Sequence, residues 1–171
     1  MCLKYKYIAI LLLIIFCKKS IAQQNSEANS LNKNSTYIEV GGSGLWYSFN
    51  YDRIVRRKER TALSARVGFS YFGNLANTNT ITFPLSISFL YGKHKNFLEL
   101  GGGPTTLYSF DENITGIGAL GIIGFRHQPM ESKGLMYRIV FNPFIGEYST
   151  DKGYWNWVSI PWGGVSFGYV F

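Results

Sequence analysis

Leu63-Ser64-Ala65-Arg66-Val67-Gly68-Phe69-Ser70-Tyr71 is the stretch that decides the fold. Its odd positions are all apolar, and its even positions are small or polar. Successive strand residues point to opposite faces, so this alternation predicts a β-strand and excludes a helix. The same period continues on both sides. Downstream, Ile81, Phe83, Leu85, Ile87, Phe89 and Tyr91 share a face, with Thr82, Pro84, Ser86, Ser88 and Leu90 on the other. Upstream, Leu45, Tyr47, Phe49 and Tyr51 alternate with Trp46, Ser48, Asn50 and Asp52. At the end, Val165, Phe167, Tyr169 and Phe171 alternate with Ser166, Gly168 and Val170.

Eight segments carry strand character, at about 36–42, 44–54, 61–73, 79–91, 95–103, 115–126, 133–147 and 158–171. Most are near the roughly 9–11 residues that a tilted strand needs to cross a bilayer. Turn-forming stretches separate them, among them Gly73-Asn74, Gly92 to Asn96 and Gln128-Pro129. Segment 115–126 alternates least, because Ala119, Leu120, Ile122 and Ile123 put apolar groups on both faces. Gly41 to Gly44 leaves the first hairpin almost no loop. Pro84, Pro143 and Pro161 each remove a ladder donor, so bulges or irregular pairing are expected there.

The apolar set is too large and too aromatic for one face of an open sheet in water. The opposite set is too small and polar to make a soluble core. Turning the sheet inside out resolves both problems: apolar side chains face lipid and polar ones face the lumen. In lipid every backbone polar group needs a partner, so the sheet must close. The expected fold is therefore all-β: a closed antiparallel transmembrane β-barrel of about eight strands. The competing reading is a soluble periplasmic lipocalin-like binding protein with its apolar face inward.

Composition agrees with the first reading. The 171 residues fit one domain, with 17% aromatic residues, 19 glycines and only 16% charged residues. Residues 1–22 read as a signal peptide: Lys4 and Lys6 precede the apolar run Tyr7 to Cys17, and Ser20 and Ala22 suit a cut before Gln23. That run of 11 residues is too short for a membrane helix, which needs about 20. Cys17 raises lipidation as an alternative, against which Phe16 is too bulky a neighbour. Removing 1–22 takes away Lys4, Lys6, Lys18 and Lys19, so the net charge falls from +7 to +3. It also removes Cys2 and Cys17, leaving no thiol. Residues 23–35 read as a flexible polar lead-in, and 36–171 as the barrel.

The terminal Phe171, with Tyr169, Phe167 and Val165 at alternate positions before it, resembles the insertion signal read by the outer-membrane barrel-assembly machinery. Tyr37 to Gly42, Gly44 to Arg53, Arg66 to Phe72, Phe97 to Gly103 and Gly124 to Pro129 resemble the small outer-membrane β-barrel proteins common in Bacteroidota. The resemblance spans about 37–171. It implies an exported, integral protein of a Gram-negative outer membrane, with membrane lipids and the assembly machinery as partners. It carries no activity.

Parity sends six charged residues inward: Glu39, Asp52, Glu99, Arg66, Arg126 and Arg138. A barrel of about eight strands is filled by side chains, so these charges must pair. A salt-bridge network is the first reading, and a gated polar path for small solutes the second. Tyr148, Tyr154, Trp155, Trp157 and Trp162 suggest an aromatic girdle near the outer interface, or a sticky surface loop. Arg53, Arg56, Arg57, Lys58 and Arg60 suit an inner-leaflet turn near anionic head groups; export argues against nucleic acid.

Gly116 to Gly121 spells G-x-G-x-x-G, but no helix is expected to follow, so a dinucleotide site is not. A lipid-modifying enzyme needs a base beside a nucleophile and an acid. The two histidines, His94 and His127, fall in or beside turns at the periplasmic end, without such partners. No catalytic residue, metal ligand or cofactor is assigned. The expected role is structural or surface-interactive with an unknown ligand; a narrow solute channel and a lipid-modifying enzyme are the alternatives.

Overall fold

The computed structural model describes residues 33–73, 79–111, 114–149 and 155–171, with Trp155 as backbone only. The signal peptide, residues 23–32 of the lead-in and Tyr154 lie outside the described residues. Eight strands follow in order: β1 Asn34–Gly41, β2 Tyr47–Arg57, β3 Thr61–Phe72, β4 Thr80–Lys93, β5 Asn96–Ser109, β6 Ile114–His127, β7 Gly134–Ser149 and β8 Trp155–Val170. Each pairs antiparallel with its chain neighbour, and β1 closes on β8 from Ser35↔Val170 to Gly41↔Gly164. The chain is an all-β, closed, antiparallel eight-stranded barrel.

The barrel is inside out along every strand. Ile38, Phe49, Val67, Ile87, Leu100, Ile123, Ile139 and Val165, one per strand, are all exposed outward. Positions of the opposite parity point inward: Ser64, Arg66, Ser70, Ser86, Asn142 and Ser166 are buried. Segment 115–126 alternates in direction but not in polarity, with Ile117 and Ile123 outside and the apolar Leu120 and Ile122 buried inside.

The strands depart from expectation at their ends. β1 begins at Asn34, two residues inside the stretch assigned to the lead-in. β2 begins at Tyr47, because Gly42–Gly44 form a single 3-10 turn. β5 runs to Ser109, through Pro104, six residues past the end of the segment 95–103 expected from sequence. It does so because Pro104 still pairs with Ala119 on β6, while pairing to β4 lapses between Pro84↔Thr105 and Ile87↔Gly102. Pairing also lapses beside Pro84 on the β3 side and beside Pro143 on the β6 side. The expectation at Pro161 needs correction. Pro143 and Pro161 face each other in an unbroken β7–β8 register, and β1 has already ended at Gly164, so the missing donor interrupts no described ladder. The bulge that does form beside a non-proline lies at Val55, between Ile54 and Arg56.

The strands are unequal. β1 has 8 residues, whereas β7 and β8 have 16 each. At the end where β1 begins and β8 finishes (the terminal end), Ile54, Ala62, Leu90, Phe97 and Met130 form a buried apolar plug. Met130 comes from the β6–β7 turn. At the opposite end, the mouth, β8 continues past Gly164 to Trp155 with β7 as its only described strand partner.

Candidate functional site

The six charged residues assigned inward by parity meet in one layer at mid-barrel. Arg138 holds Glu99 with two bonds, Nε to Oε2 at 2.7 Å and Nη2 to Oε1 at 3.1 Å. Its Nη1 reaches Glu39 Oε1 at 2.8 Å. Arg126 grips Asp52 in the same forked way, at 2.8 and 3.1 Å, and lies 4.0 Å from Glu99. Arg66 Nη1 lies 3.4 Å from Glu39 Oε2. The order is thus Arg66, Glu39, Arg138, Glu99, Arg126, Asp52. β4 joins through Ser86, which accepts from Arg66 Nε at 2.9 Å, and β8 through Ser166, which donates to Glu39 at 3.4 Å. All eight strands are tied by this layer. Arg126 and Arg138 stand opposite each other across the β6–β7 ladder, a like-charge pair that Asp52 and Glu99 neutralise.

The first hairpin turn folds into the lumen above the layer. Gly42, Ser43 and Gly44 are buried. Ser43 N donates to Glu39 Oε2 at 3.1 Å, and its hydroxyl accepts from Arg66 Nη2. Gly41, Gly42 and Leu45 all have positive φ, near +70°. A Cβ on Gly42 would sit 2.5 Å from the Glu39 carboxyl carbon, so only glycine fits. The sequence showed this hairpin to be short; its inward direction was not readable, because it depends on a hydrogen bond to Glu39.

Above the turn the lumen is hollow. A cavity of about 360 Å³ opens at the mouth, walled by Leu45, Leu107, Ile114, Leu120, Phe144, Val158, Ile160 and Trp162. Ser43, Thr82, Thr105 and Asn142 add polar groups. No sequence signal pointed to it, since it arises only where the long strands outrun β1.

The proposed aromatic girdle requires correction at two positions. Tyr148 and Trp162 have inward parity and line the cavity; Trp162 Nε1 donates to Leu45 O at 3.1 Å and its ring meets Trp46 edge-on. Counting the strand from Ser166 would have shown Trp162 to be inward. Trp157 points outward at 74% exposure. The Trp155 side chain and Tyr154 lie outside the described residues. Val165, Phe167, Tyr169 and Phe171 all lie on the exposed outer face.

Both histidines lie at the terminal end, away from the cavity. His94 sits in the β4–β5 turn, and His127 stacks on Tyr137 and donates to Asn96 Oδ1 at 2.7 Å. The glycine motif 116–121 lies wholly within β6, not at a strand–helix junction. Arg57, in the basic β2–β3 region, makes an exposed ion pair with Glu131.

No protein-family model matches this sequence, and no curated protein matches it significantly.

Proposed function

We propose that this chain is an integral barrel of a Gram-negative outer membrane, with a structural or surface-interaction role and no catalytic one. The observation that carries this reading is the apolar exterior presented by all eight strands around a charged, hydrogen-bonded layer at mid-barrel. In water that exterior would be a large aggregation-prone patch. In a bilayer it is the surface the solvent requires, and the closed ladder leaves no edge to satisfy.

Membrane lipids then contact the outer belt, and the alternating Val165, Phe167, Tyr169 and Phe171 serve the assembly machinery during insertion. The termini and the basic β2–β3 turn face the periplasm. The charge layer fills the middle of the lumen, which favours a closed barrel over a solute channel. The test is gel mobility of the mature protein from purified outer membranes, boiled against unboiled. A heat-dependent shift in a membrane-confined protein supports the reading. A soluble protein without a shift overturns it in favour of a lipocalin-like fold. Discrete conductance steps in a planar bilayer, abolished by Arg66→Met, would instead make the chain a channel.

A further inference from the structure

We propose that the mouth cavity is a binding site for a small neutral amphiphile, with an apolar body and one hydroxyl head, bound head-down on Asn142. The proposal deepens the surface-interaction reading above and rests on it.

Three features converge. The first is size. A closed apolar cavity of about 150 Å³ takes one benzene ring. The mouth cavity, at about 360 Å³, is more than twice that. It therefore suits a two-ring compound or an alkyl chain of equal bulk, at the lower end of the range for small-molecule sites.

The second is an unmatched acceptor. Asn142 lines the cavity and is only 1% exposed. Its Nδ2 donates to Gly121 O at 3.0 Å, an atom that can only accept, which fixes the orientation of the amide. Its Oδ1 is buried without a partner among the described residues. A buried acceptor left unmade costs about 1–3 kcal/mol, so the site favours a ligand that supplies a donor. Ser109 Oγ, also on the cavity wall, is likewise unmatched among the described residues.

The third is charge. Arg66, Glu39 and Arg138, under the floor, are already paired with one another. Among the described lining residues the carboxylate is Glu147, five residues farther along β7 from Asn142, so an ionic head seated at the floor beside Asn142 would lack a counter-charge there, which is unfavourable. A hydroxyl meets Asn142 without that penalty. The apolar body then lies between Leu120, Phe144, Ile160 and Trp162.

The experiment uses the mature barrel in phosphatidylcholine vesicles, since a detergent tail could itself occupy the cavity. 2-Naphthol and 2-methylnaphthalene are titrated as probes of equal bulk with and without the donor. Binding is read by equilibrium dialysis and corrected for uptake by protein-free vesicles. The expected result is saturable 1:1 binding of 2-naphthol, about tenfold tighter than 2-methylnaphthalene. Asn142→Leu should erase the preference, and Ile160→Trp, which fills the chamber from β8, should remove saturable binding of both. Absence of saturation, or equal affinity for the two probes, in a barrel that still shows heat-modifiable mobility overturns the proposal and leaves the membrane reading intact. A soluble, unshifted protein overturns the membrane reading instead. The same pair is then titrated in buffer, where the tenfold preference again decides for or against the site.

Discussion

The middle of the lumen and its mouth are made by the same eight strands and filled in opposite ways. At mid-barrel, Arg66, Arg126 and Arg138 extend across the interior and are paired with Glu39, Glu99 and Asp52. At the mouth the inward positions carry Leu107, Leu120, Phe144 and Ile160, and a hollow remains between them. Long charged side chains fill the eight-stranded interior because each is drawn to a partner on another strand. Shorter apolar side chains at the mouth are attached to strands that β1 no longer closes, and they stop short of one another. The middle is therefore where the lumen is held together, and the mouth is where it has room for something else.

This contrast can be broken most sharply at Arg138. Arg138→Met removes the shortest ion pairs of both Glu39 and Glu99, leaving them only Arg66 at 3.4 Å and Arg126 at 4.0 Å, and should destabilise the barrel by about 3–5 kcal/mol. The readout is a lower midpoint for loss of the compact gel form on heating. A change near zero would mean that the layer is not the tie described. Next in size is the turn that separates the two regions. Gly42→Val places a Cβ against the Glu39 carboxylate at a φ of +70°, with an expected cost of about 2–4 kcal/mol by the same measurement.

The mouth should be far more forgiving. Leu107→Ala widens a hollow that already exists, so a loss under about 1 kcal/mol is expected. A loss as large as that of Arg138→Met would erase the distinction between the regions. Smaller still is the exposed Arg57–Glu131 pair at the terminal end: Glu131→Gln should shift stability by less than about 0.5 kcal/mol.

A last prediction concerns pH at the mouth rim. Asp111 accepts from the Asn79 backbone and side chain, and those bonds hold its carboxyl below its ordinary value. A depressed folded value means that the contact is present above the ordinary carboxylate range and is lost as pH falls through the folded value. Amide exchange at Asn79 should stay slow through that range and accelerate only below it. The buried mid-barrel layer should show no matching change in its amides.

How much of this was legible varies from residue to residue. Parity alone placed Glu39, Asp52, Glu99, Arg66, Arg126 and Arg138 inside, because a strand has only two faces. It could not say who pairs with whom. Asp52 and Arg66 are direct cross-strand partners by register, yet Arg66 bonds Glu39 and Asp52 is gripped by Arg126. Reach across a closed lumen decides that, and it depends on strand tilt and stagger. Tyr148 was missed because β7 extends past the segment 133–147 expected from sequence, whereas Trp162 lay within an expected strand and its inward parity was simply not counted.

The period-two alternation by itself determined the strands and most of their outer and inner faces, because side-chain direction in a strand follows from local geometry. Leu45 and Trp46, read as part of that alternation, instead fall in the turn before β2, with Leu45 on the cavity wall and Trp46 exposed. The tertiary structure alone decided the pairing order of the charges, the inward fold of Gly42–Gly44 and the hollow above it. Each of these depends on where strands far apart in the chain begin and end relative to one another. Closure of the ring fixes those offsets, and no short stretch of sequence contains them.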